Sequence, residues 1–226
     1  MKGKLIIIEG SDGSGKATQT KKLYDRLIQQ NLCVKKIEFP NYNSSSSALI
    51  KMYLNGEFGS DPSDVSPYIA STFYAVDRYA SYNTEWKDFY ERGGIVICDR
   101  YTTSNMIHQA AKIKDEEEKS SFLDWLWNFE FNLYKLPLPD SVIFLDMPPE
   151  QSRSLIEERN NKFTGEAQKD IHERNYTYMV NSYKNAESVA NKYSWSKIKC
   201  YDFGKIKSID DIHEEIYIKV KEIIEN

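Results

Sequence analysis

Long apolar runs are missing from this 226-residue chain. None approaches the roughly 20 residues that a membrane-spanning helix needs, which argues against a membrane partner. Cysteine is scarce. Cys33, Cys98 and Cys200 lie far apart and form no metal-ligand spacing. Each falls in or beside an expected strand, so each is expected as a reduced core thiol in a cytoplasmic protein. Positive charge is not in excess: 30 Lys and Arg stand against 34 Asp and Glu, for a formal net charge of −4. That balance speaks against a nucleic-acid partner or a basic membrane arm. No signal-peptide pattern precedes the first apolar stretch, because Met1-Lys2-Gly3-Lys4 runs straight into it. No internal repeat or composition break divides the chain. Residues 1–226 are expected to form one large α/β domain with a full core.

Glycine is sparse too, at 10 residues, yet Gly10, Gly13 and Gly15 fall in one short loop. Before it runs Leu5-Ile6-Ile7-Ile8, apolar throughout, which predicts a strand buried on both faces. After it, Ala17 to Ile28 carries apolar residues at helical spacing. Strand, glycine loop, lysine, helix is the context of a phosphate-binding loop. Glycines let several N–H groups converge on one anion, and the new helix aims its positive end there. Lys16 adds a full charge for the outer phosphates. The pattern G-x-x-x-x-G-K-[ST] is met by Gly10, Gly15 and Lys16. Ala17 stands where a hydroxyl usually ligates magnesium, and Thr18, one residue late, points about 100° away on the helix.

Further strands are expected at Cys33–Phe39, Ile95–Cys98, Val142–Asp146 and Lys197–Tyr201. Helices are expected at Ala48–Leu54, from Pro67 to about Tyr90, from Thr102, over Ser120–Tyr134, from Pro149, and over Asp170–Tyr193. Ser208 should cap a last helix, with Asp211 as an acidic variant of the capping box. The Trp and Phe stripe of Ser120–Tyr134 has simple helical spacing and is expected as packing. The polar loop Asn41–Ser47 reads either as a flexible linker or as a loop on the substrate side of the sheet. Asp99-Arg100-Tyr101 at a strand end reads either as a structural ion pair or as part of a site. Alternation of strands and helices predicts a parallel sheet covered on both faces.

These residues, taken together, resemble the thymidylate kinases, P-loop enzymes that phosphorylate dTMP with ATP. The resemblance rests on Glu9 to Lys16, on Phe39-Pro40, and on Tyr74-Ala75-Val76-Asp77-Arg78. It rests also on Asp99-Arg100-Tyr101 with Ser104 and Gln109 behind it, and on Leu136-Pro137-Leu138-Pro139-Asp140 leading to Leu145-Asp146. It implies a P-loop NTPase-type three-layer α/β fold, with a central five-stranded parallel sheet and a short lid at about 153–170. It implies ATP and Mg as cofactors, and a cytoplasmic homodimer. The loop Gly10, Ser11, Asp12, Gly13, Ser14, Gly15, Lys16, Ala17 and Thr18 would hold ATP. Asp12 would sit between the acceptor phosphate and the sugar 3′-OH. Arg78 and Arg100 would grip the dTMP phosphate, and Phe39 and Pro40 would border it. Tyr74, where the family usually has Phe, would stack on thymine. Ser104 and Asn105 would reach the base edge, and His108, where the family usually has Tyr or Phe, would lie near the sugar. Asp99 would help hold magnesium. Asp12, Lys16, Arg100 and a lid cation would be catalytic. Gly13 fills the loop position that can carry that cation, so Arg153, Arg159, Lys162 and Lys169 are the candidates, Arg159 first.

Overall fold

Strand β1 (Lys4–Gly10) lies at the centre of a five-stranded sheet. The computed structural model describes residues 2–157, 171–202 and 204–225. With β2 (Val34–Glu38), β3 (Ile95–Asp99), β4 (Ser141–Asp146) and β5 (Ser196–Lys199), the order is β2-β3-β1-β4-β5, parallel throughout. The central place of β1 explains its sequence. Side chains alternate across a strand, so Ile6 and Ile8 enter one core and Leu5 and Ile7 the other. All four are fully buried. The first core is covered by α1 (Lys16–Gln29) and α10 (Ile209–Glu225), through Leu23, Leu27, Ile212, Ile216 and Val220. The second is covered by the helical run that begins with α3 (Pro67–Ser81). That run passes through a wide turn at Tyr82–Trp86 into α4 (Lys87–Glu91), and buries Tyr82, Trp86 and Tyr90.

The remaining helices are α2 (Ala48–Leu54), α5 (Thr102–His108), α6 (Glu116–Trp127), α7 (Pro149–Glu157), α8 (Ile171–Arg174) and α9 (Tyr176–Lys192). The Pro-x-Pro-Asp segment ends in a specific joint. The Asp140 carboxylate accepts the Leu5 N–H at 2.7 Å, and the Asp140 N–H reaches Leu5 O at 2.8 Å. The aromatic stripe of α6 is packing, as Phe122 and Leu126 sit in a buried cluster with Trp125 against it.

Several local expectations are corrected. Helix α6 begins at Glu116 because Asp115 caps it, accepting the Glu118 N–H at 2.8 Å. The expected helix Asp170–Tyr193 is broken at Asn175, whose side chain caps α9 through the Tyr178 N–H at 2.9 Å. A two-stranded antiparallel turn, β6 (Tyr201–Asp202) with β7 (Lys205–Ile206), follows β5 and was not foreseen. Ser208 does cap α10 by accepting the Asp211 N–H. The Asp211 carboxylate takes the Ser208 hydroxyl instead of the backbone N–H of a true capping box. Cys98 and Cys200 are buried, but Cys33 is exposed, because it sits on the turn just before β2. Among the described residues, no helix is long and apolar enough to cross a membrane.

Candidate active site

The carboxyl ends of β1, β2 and β3 open into one cavity of about 540 Å³. Its floor is the glycine loop. Gly13 and Gly15 hold φ of 77° and 85°, a left-handed backbone that costs glycine nothing. Gly10 is needed for space, since a Cβ there would meet Ser14 Oγ at 2.7 Å and the Leu145 carbonyl oxygen at 3.0 Å. The loop therefore curls against β4 and delivers Lys16 into the first turn of α1. Lys16 is buried, and Nζ donates to Gly10 O at 2.8 Å and Ser11 O at 2.7 Å. An ammonium has three donors, so one remains for a ligand. Burial, and next the nearby Arg100, push the Lys16 ammonium down to about 7. Ala17 and Thr18 both face the cavity and are exposed.

Arg100 follows β3 in a left-handed conformation, φ 70°. Its Nη2 pairs with Asp12, and its Nη1 lies 3.1 Å from His108 Nε2 and 3.4 Å from Ser104 Oγ. Arginine only donates, so His108 Nε2 accepts. Burial and Arg100 push the His108 imidazole down to about 3, which keeps it neutral. Asp99 is buried at the strand end and lines the cavity, and its carboxylate takes no hydrogen bond from the described residues. It is thus available to a cation. Among the described residues no cluster of three His, Cys, Asp or Glu could hold a metal by itself. A divalent ion here would rest on Asp99, phosphate oxygens and water. That is the ligation magnesium ordinarily takes beside nucleotides, so the residues fit it.

Phe39, Pro40, Tyr74, Arg78 and Asn105 line the same cavity on the side away from α1. Arg78, however, is not a free cation. It is fully buried and gives two bonds of 2.6 Å to Glu130, a bidentate pair. Burial alone opposes its charge, and Glu130 more than offsets that. Its third nitrogen, Nη1, lies 3.4 Å from Tyr101 O. The structure thus separates the two arginines that were paired in expectation: Arg100 stands over the glycine loop, while Arg78 is anchored on α3 by Glu130. Ser104 also differs from expectation. Its hydroxyl donates to Glu9 Oε2 at 2.8 Å instead of pointing freely at a base. Asn105 keeps only a 3.4 Å contact to Ser71 O. The loop at 41–47 is no linker. Asp77 on α3 accepts the Asn41 N–H at 2.8 Å and the Ser46 hydroxyl at 2.5 Å, and Tyr42 lines the cavity.

Four features were given no role in the sequence reading. Glu9 and Glu130 are fully buried acids that organise the two arginines. Gln109 is buried against the cavity, and its Oε1 has no hydrogen-bond partner among the described residues. Ile206, Lys207 and Ile209 wall the cavity beyond Thr18, on the side of α1. Glu9 did leave a signal, a charge at the end of an apolar strand. Arg159, Lys162 and Lys169 lie outside the described residues, as does the side chain of Arg153.

Comparison with known proteins is consistent along the whole chain. A family model described as Thymidylate kinase matches residues 8–200. The thymidylate kinase of Plasmodium falciparum is 30% identical over 222 residues, which cover 98% of this chain and 91% of that protein. That of Mycobacterium tuberculosis H37Rv is 34% identical over 167 residues, 74% of this chain and 73% of the relative. The solved structure of thymidylate kinase from Candida albicans shares the fold, with a TM-score of 0.72 at 22% identity, covering 99% of this chain and 94% of that one.

Proposed function

This chain belongs to the thymidylate kinase family, and from that membership and the shape of its cavity we propose how it phosphorylates dTMP with ATP. The carrying observation is that the glycine loop and Arg100 open into one volume of about 540 Å³. Donor and acceptor phosphates can therefore meet without crossing a barrier. Phosphoryl transfer asks the protein for in-line positioning and charge neutralisation, not covalent chemistry.

The loop N–H groups and the free hydrogen of Lys16 hold the outer phosphates of ATP. Ile206, Lys207 and Ile209 flank the donor base. Arg100 takes the acceptor phosphate, and Asp12 turns toward the sugar 3′-OH beside it. Tyr74 stacks on the base. Arg78, fixed by Glu130, presents its remaining N–H groups to the base edge, and this reading replaces its expected grip on the phosphate. Asn105 and Gln109 complete that edge. An oxygen of the acceptor phosphate bonds to the outermost donor phosphorus as the bond to ADP breaks. Asp99 would hold magnesium, which would supply charge neutralisation to the phosphates. Arg159 is assigned as the lid cation. The protein is assigned to the cytoplasm as a homodimer with no nucleic-acid partner. The pairing face is α3, where Ile69, Val76 and Tyr79 are exposed together.

The test is the initial rate with dTMP, dUMP, dCMP, AMP and GMP at fixed ATP and magnesium. Thymine offers a carbonyl where cytosine offers an amino group, so dCMP leaves a buried group unpaired, a loss of roughly tenfold to a hundredfold. Equal or greater turnover with dCMP or AMP would overturn the acceptor assignment.

A further inference from the structure

Glu9 lies on the face of β1 that carries Leu5 and Ile7, and it is fully buried. A carboxylate in an apolar layer is costly unless its oxygens are bonded. Here they are. Oε1 accepts the Gly10 N–H at 3.0 Å, and Oε2 accepts the Thr103 and Ser104 hydroxyls at 2.8 Å each. Oε1 also lies 3.8 Å from Arg100 Nη1. All its partners belong to the start of the glycine loop, to Arg100 or to the first turn of α5.

We propose that Glu9 is a positioning residue that holds Arg100 in place for the acceptor phosphate. The proposal rests on the reading of Arg100 as the phosphate-binding arginine. The two ends of that guanidinium are held differently. Nη2 faces Asp12, a half-buried acid at the cavity wall, which a phosphate can displace. Nη1 faces Glu9, Ser104 and His108, which lie behind it. Ser104 gives its hydrogen to Glu9, so its oxygen lone pairs turn toward Arg100. Glu9 thus acts on Arg100 directly by charge and indirectly through Ser104. The backbone needs such support. Arg100 holds φ 70°, a region that non-glycine residues occupy only where the surroundings enforce it. Glu9 ties β1 to Thr103 and Ser104, three and four residues past that strained point. It also ties the acceptor arginine to Gly10, where the donor loop begins.

The test uses Glu9→Gln in the full chain. The glutamine carbonyl can still accept the Gly10 N–H, and its amide can donate to hydroxyls that rotate to accept. The charge facing Arg100 is lost. Binding is measured by calorimetry with dTMP and with thymidine, the same molecule without its phosphate. The expected result is a roughly tenfold loss for dTMP, with thymidine affinity and the melting temperature nearly unchanged. In an Arg100→Met background, Glu9→Gln should add no further loss. Equal weakening of dTMP and thymidine would mean a damaged fold and would overturn the proposal. So would unchanged or tighter dTMP binding, which would mean that the buried charge merely repels phosphate. Additive losses in the double variant would overturn it while leaving the role of Arg100 standing. If Arg100→Met alone spares dTMP affinity, the reading of Arg100 falls and the proposal with it. Should Glu9→Gln fail to fold, Thr103→Val removes one donor and keeps both charges. It should weaken dTMP alone, by a smaller factor, and a loss shared by thymidine refutes the idea.

Discussion

Replacing Glu130 by Gln tests whether Arg78 is held as the structure has it. The two side chains are 1% and 0% exposed and share two 2.6 Å bonds, and Thr102 adds a third bond to the same carboxylate at 2.8 Å. The introduced glutamine would put an NH₂ group against Arg78 N–H groups, so the guanidinium would stay buried and charged with no anion. Breaking one side of a buried pair in this way costs about 3–5 kcal/mol. For a chain of this size about 1 kcal/mol moves the melting temperature by roughly 2–4 °C, so a fall of roughly 6–20 °C is expected. Thermal unfolding followed by circular dichroism reads it. The double variant Arg78→Met/Glu130→Leu removes both charges and should recover most of the loss. It should still bind dTMP poorly, because the base edge has lost its donor. A fall under about 2 °C for the single variant would refute the buried-pair reasoning. A double variant as unstable as the single one would show that packing, not the stranded charge, sets the effect.

Lys16→Ala should fold normally and lose about a hundredfold in turnover, since one preorganised charge contact is worth about 3 kcal/mol in the transition state. The lowered titration of Lys16, to about 7, has a sign that can be checked. At pH 8 the side chain is mostly neutral, phosphates favour its charged form, and nucleotide binding should take up most of one proton. Calorimetry in two buffers of different protonation enthalpy measures this, and equal heats in both would refute it. Ala17→Ser should keep activity and tighten the magnesium requirement, because a hydroxyl is restored where the loop lacks one. A magnesium titration unchanged by the substitution would remove position 17 from the metal's surroundings.

The sheet was legible because β1, β3 and β4 are buried on both faces and therefore read as apolar runs. The glycine loop was legible because its chemistry is local: three glycines and a lysine act within one turn of chain. What stayed hidden depends on distance or on single capping residues. Asn175 breaks a helical pattern that continues on both sides of it, and only the bond to the Tyr178 N–H reveals a new start. Asp115 extends α6 by a turn of glutamates that carry no apolar period. Arg78 and Glu130 lie far apart in the chain and meet only after α3 packs against the wide turn that follows α6, Asn128–Leu133. Spacing alone puts Tyr74 and Arg78, four apart, on one face of α3, and both line the cavity. It could not say which of the two arginines was already committed to another anion.

That commitment decides how charge must be shared when two phosphates approach. In this arrangement every described cation of the site already has acceptors: Lys16 the carbonyls of Gly10 and Ser11, Arg78 Glu130, and Arg100 Asp12. Nucleotide binding is therefore substitution. Arg78 cannot be exchanged, because its acid is buried with it and would be left with only the Thr102 hydroxyl. Lys16 contributes its third hydrogen at once and its others only if the loop carbonyls release them. On the function proposed above, Arg100 would trade Asp12 for the acceptor phosphate while its other end stays against Glu9 and His108. Lys16 and Arg100 together supply about two positive charges, and two phosphates facing each other carry more than that at neutral pH. The balance falls on the loop N–H groups and, on the function proposed above, would be completed by a divalent ion beside Asp99 and by the assigned lid cation Arg159. Ala17 sharpens this requirement. With no hydroxyl at position 17 to help fix the ion, magnesium held by Asp99 would take most of its other ligands from phosphate and water. Such an ion would enter with ATP, and Asp99 would add the protein's own share of its hold.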